Sequence, residues 1–100
     1  MEDVFASKSR HGHYPGKGFW WIDQVLINKK PVSIMVMFGN NIIGDKACYR
    51  VGGEPEVFFE AGAVVREAIV LRGKAFIRDR LKGKDVCAKD GSAYNWDVVN

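Results

Sequence analysis

The chain reads as an α+β domain that is mostly β: a curled antiparallel sheet or small barrel of about five to seven strands with one helix, an all-β arrangement being the alternative. Three observations carry that expectation. The apolar runs are short and rich in aromatic and β-branched residues, above all in residues 18–38, where two such runs flank Asn28-Lys29-Lys30-Pro31. Several segments alternate apolar and polar residues with a period of two. Turn-forming residues recur between them, ending in Asp90-Gly91 close to the C-terminus. One hundred residues, 47% of them hydrophobic, suffice for one core, so a single domain over residues 18–100 is expected.

Residues 1–17 carry two glycines, a proline, two serines, two histidines and three bases, without apolar periodicity, and read as a flexible basic arm. The first strand then covers residues 19–27. Alternation puts Phe19, Trp21, Val25 and Ile27 on one face and Trp20, Ile22 and Leu26 on the other, so both faces are apolar. In the second strand Val32, Ile34, Val36 and Phe38 point to the core, while Ser33, Met35 and Met37 share the opposite face. Gly39-Asn40-Asn41 and Gly44-Asp45 predict bends around Ile42-Ile43. Residues 46–51 alternate as a half-exposed strand with Ala47, Tyr49 and Val51 inward, and residues 56–60 read as a strand with Val57 and Phe59 inward.

Residues 61–72 fit a helix slightly better than a strand: Val64, Val65, Ala68, Ile69 and Leu71 make a broad stripe, and Gly73 supplies a stop. A strand is expected over 74–81. Segments 85–88 and 93–99, on either side of the Asp-Gly turn, predict a closing hairpin.

Function is less legible. No apolar run approaches the roughly 18 residues a membrane span needs, and the polar N-terminus is no secretory signal, so a cytoplasmic protein without membrane contact is expected. The chain lacks a phosphate-binding Gly-Lys-Ser/Thr loop, a Gly-x-Ser-x-Gly elbow and a Cys-x-x-Cys pair. None of its nine lysines follows an acid by two residues, which removes a common metal-nuclease pairing. No cofactor or metal is implied, and a binding protein is favoured over an enzyme. Cys48 and Cys87 read as reduced, buried thiols.

Charge is unevenly spread. Net charge is only +3, yet residues 54–60 hold three acids and no base, and residues 72–84 hold six bases against one acid. Alternating bases on an extended segment can track phosphates, with Phe76 stacking on unpaired bases. The first candidate site is therefore a nucleic-acid surface of Arg72, Lys74, Phe76, Arg78, Arg80, Lys82 and Lys84, closed over by Lys8, Arg10 and Lys17 of the arm. The competing class is a protein-binding inhibitor or adaptor, of the kind viruses and mobile elements encode, with Trp20, Met35 and Met37 as its contact face. A third reading makes His11 and His13 the acid and base of a metal-independent ribonuclease, with Arg10 beside them. The same imidazoles could join Cys48 or Cys87 on zinc, although no spacing demands it. The acidic and basic edges could also pair two copies of the chain into a homodimer.

Overall fold

The computed structural model describes residues 9–14 as backbone, and residues 18–39, 46–62 and 65–99 in full. Among the described residues, six strands and one helix follow in the order β1 (Ser9–Tyr14), β2 (Gly18–Ile27), β3 (Lys30–Phe38), β4 (Lys46–Val51), β5 (Val57–Glu60), α1 (Arg66–Arg80) and β6 (Val86–Ala88). All pairings are antiparallel. The sheet order is β1-β2-β3-β4-β5, and β6 takes the part of β2 that β1 leaves open, at Val25–Ile27. Among the described residues β1 and β5 do not pair, so the sheet does not close into a barrel.

The β2–β3 hairpin is the centre of the sheet. Its two-residue loop, Asn28-Lys29, has φ of 51° and 69°, the left-handed pair whose twist matches that of the strands it joins. Asparagine tolerates this backbone well and lysine less so. Alternation then delivers the core as the sequence predicts it: Trp21 and Val25 of β2, Ile34, Val36 and Phe38 of β3, Ala47, Tyr49 and Val51 of β4, and Phe59 of β5 lie on one buried face. The helix covers that face.

Four expectations are corrected. Ser9–Tyr14, read as part of a free arm, is a strand paired with residues 18–23 of β2. Residues 74–81 are not a strand, since α1 runs through Arg80. Its inward residues, Ile69, Val70, Gly73, Lys74 and Ile77, followed by Leu81, recur at helical spacing. Gly73 therefore does not stop the helix. It lets α1 touch β3: a Cβ at this position would stand 2.5 Å from Val36 Cγ2. The stripe itself is also displaced from the predicted one, because Ala68 is exposed and Val65 precedes the helix in extended geometry.

The fourth correction concerns the C-terminal hairpin. Its turn forms, with the Gly91 amide donating to Ala88 O and the Ala88 amide donating to Ser92 O. Its second strand does not: β6 pairs with β2, and residues 93–99 leave the sheet in irregular backbone to cover the core with Tyr94, Trp96 and Val99. The predicted bends and the Ile42-Ile43 segment fall at 40–45, outside the described residues. Cys48 and Cys87 are both free thiols, Cys48 buried and Cys87 half-buried.

Candidate functional site

The basic segment is dispersed by the helical pitch. One residue in a helix turns about 100°, so bases that would line one side of a strand point in several directions. Lys74 is fully buried and offers no charge to a phosphate. Arg80 donates to Glu54, and Arg78 lies 3.5 Å from Asp79. Phe76, 38% exposed, stacks on Tyr49 and leans on Phe59, so much of its ring is already engaged. Arg72 is exposed. Lys8 and Lys17 lie outside the described residues, and Arg10 sits in β1 opposite Ile22. What does come together is the end of the helix: Arg78, Lys82 and Lys84 border a shallow hollow of about 410 Å³ that Trp96 also lines.

Lys74 belongs to an interior cluster that sequence reasoning missed. Its ammonium donates to Asn95 O at 2.9 Å and to Val98 O, and lies 5.2 Å and 4.7 Å from the ring centres of Trp21 and Tyr94. Tyr94 donates its hydroxyl to Asp23 Oδ2 at 2.6 Å, and the Gln24 amide donates to Asp23 Oδ1 at 2.8 Å. Burial dominates the electrostatics of all three groups. It lowers Lys74 to about 8, against the opposing pull of Asp23 and Asp97. It raises Asp23 despite the hydrogen bonds from Tyr94 and Gln24, and it raises Tyr94, which the neighbouring carboxylate raises further. The cluster satisfies its own polar groups under residues 93–99, and works as an internal strut that fastens this segment to the helix and sheet. Asp23 was the visible signal, an acid in the same alternation as Trp21 and Val25, on the core side of its strand.

The sheet face away from α1 is different. Paired residues of adjacent antiparallel strands share a face, and one register row runs Trp20–Met37–Cys48–Phe58 across β2, β3, β4 and β5. It is apolar from end to end. Cys48 is 4% exposed, Trp20 and Met37 are half-buried, and Phe58 is 64% exposed. Met35, predicted as a contact residue, is only 5% exposed and supports the row from the next register position, opposite Ile22. Met37, Cys48 and Phe58 border a hollow of about 340 Å³. Lys46, opposite Glu60, and exposed Arg50 give the face a charged rim. Phe58 and Cys48 are the members that sequence reasoning did not single out, although alternation already placed both opposite the core residues of their strands.

His11 and His13 lie in β1, in register with Trp21 and Phe19 of β2. Among the described residues no three His, Cys, Asp or Glu side chains group as metal ligands, and no helix is long and apolar enough to cross a membrane. No protein-family model, no curated protein and no solved structure matches this chain.

Proposed function

We propose that this chain is a non-enzymatic protein-binding domain, an inhibitor or adaptor, that docks its partner on the sheet face opposite α1. The observation that supports the reading is the apolar row ending in exposed Phe58, because a large aromatic next to an adaptable methionine and inside a charged rim has the anatomy of a contact surface. The test is selection of binders from a displayed random-peptide library, followed by affinity measurement on the parent, Met37→Ser and Phe58→Ser proteins. Both substitutions should weaken the enriched peptides at least tenfold while the circular-dichroism spectrum stays unchanged. Undiminished affinity in both variants would remove the reading.

A second reading is favoured by the hollow at the helix end, where Arg78, Lys82 and Lys84 could hold a nucleic-acid backbone beside Trp96. Single-stranded oligonucleotides should then bind with a salt slope that falls by about 2 to 3 when the three bases are replaced with Ala. An unchanged slope would dismiss it.

A further inference from the structure

The apolar row stops at β5, and so does the sheet. Among the described residues β5 pairs only with β4, so one side of it carries main-chain N–H and C=O groups with no strand alongside. Phe58 and Glu60 alternate onto one exposed face of β5, and Glu56, exposed just before the strand, stands near Cys48 of the same face, where its charge raises the thiol, so acid, aromatic and acid follow along this edge. The strand on the other side of β5 already displays the complement. In β4, Lys46 stands opposite Glu60 and Cys48 opposite Phe58, and Arg50 is the next residue in the same alternation. That pattern is basic, any residue, apolar, any residue, basic.

We propose that the outer edge of β5 accepts an extended segment of a partner protein with the same pattern as β4, added to the sheet as a further strand. Main-chain hydrogen bonds would hold the segment, its central apolar side chain would cover Phe58, and its two bases would face Glu56 and Glu60. The charges select this occupant over a second copy of the chain. Two β5 edges paired about Phe58 would set Glu56 of each against Glu60 of the other. The inference rests on the sheet-face reading, since Phe58 belongs to both, but it specifies an edge and a sequence pattern which that reading does not need.

The experiment is fluorescence anisotropy with a labelled ten-residue peptide centred on Lys-Thr-Phe-Thr-Arg, at low and physiological salt. Three companion peptides are measured beside it: one of the same composition with Phe moved one position, one with Glu in place of both bases, and one N-methylated on alternate amides. The parent protein should bind the first peptide at least tenfold more tightly than the other three. Glu56→Gln with Glu60→Gln should abolish the preference over the Glu peptide, and because both positions are exposed and no like charge is set against Lys46 the fold should be kept. Equal binding of the first and the shifted peptide, or retained binding of the N-methylated one, would overturn strand addition. Absence of binding by all four would also overturn it, leaving acids that merely guard the edge. If library peptides remained sensitive to Met37→Ser in that case, the sheet-face reading would stand without it.

Discussion

Lys74 occupies a position that helical spacing assigns to the core, and the chain meets the cost of burying it with two carbonyl acceptors, two aromatic rings and nearby Asp23. This has a pH signature. In the unfolded chain the ammonium titrates at 10.5, and in the folded chain at about 8, so between these values the unfolded state binds the extra proton. The Lys74 contribution to stability is therefore largest above 10.5, falls as pH is lowered toward 8, and is absent below. Tyr94 acts in the opposite sense, since its folded-state titration is raised and its contribution is lost as pH climbs past 10. In urea unfolding, the parent should gain about 2 kcal/mol from pH 8 to pH 10 relative to Lys74→Met. Parallel pH profiles for the two proteins would show that Lys74 is not carrying a buried charge. The burial of Lys74 was not legible in the sequence, where it counts as one base among six, because it is set by the helix frame and by Tyr94 and Asn95, about 20 residues away.

The strands were read correctly wherever alternation was clean, as in β3 and β4, because a period of two has few competitors and the turns between carry their own residues. The helix was harder. Its inward stripe contains a glycine and a lysine, so the apolar periodicity that would announce it is broken in the middle, and Gly73 imitates a stop. Gly73 is instead a contact. Alanine is the better helix former by about 1 kcal/mol, yet Gly73→Ala should destabilise the protein by about 1 to 3 kcal/mol, because its methyl would meet the stiff, buried side chain of Val36. Adding Val36→Ala to Gly73→Ala should cost less than the sum of the two single changes in thermal unfolding, whereas simple additivity would mean the helix and β3 do not touch there. The C-terminal hairpin failed for a long-range reason. Its Asp-Gly turn is local and forms, but the edge of β2 claims the first strand, and Lys74 and Asp23 hold the second segment away from the sheet.

At the scale of the whole molecule, the sheet has two apolar faces, and among the described residues α1 packs on one of them while Phe58 stays exposed on the other, an asymmetry that underlies the functional reading. Both faces were visible in β2 and β3, which is why Trp20, Met35 and Met37 could be named from the sequence. Which face the helix would cover, and how far the other would extend, depended on register across β4 and β5. The basic segment looked like a site because a strand would have aligned it, and α1 scatters it instead. The most direct test of the account is chemical-shift mapping on the methyl- and aromatic-labelled protein, titrated with the tightest library peptide. Perturbations should concentrate on Met37, Phe58 and the Trp20 indole, and leave Tyr94 and Trp96 unmoved. Shifts gathered at Trp96, Leu81 and Val86, with Met37 and Phe58 silent, would contradict it.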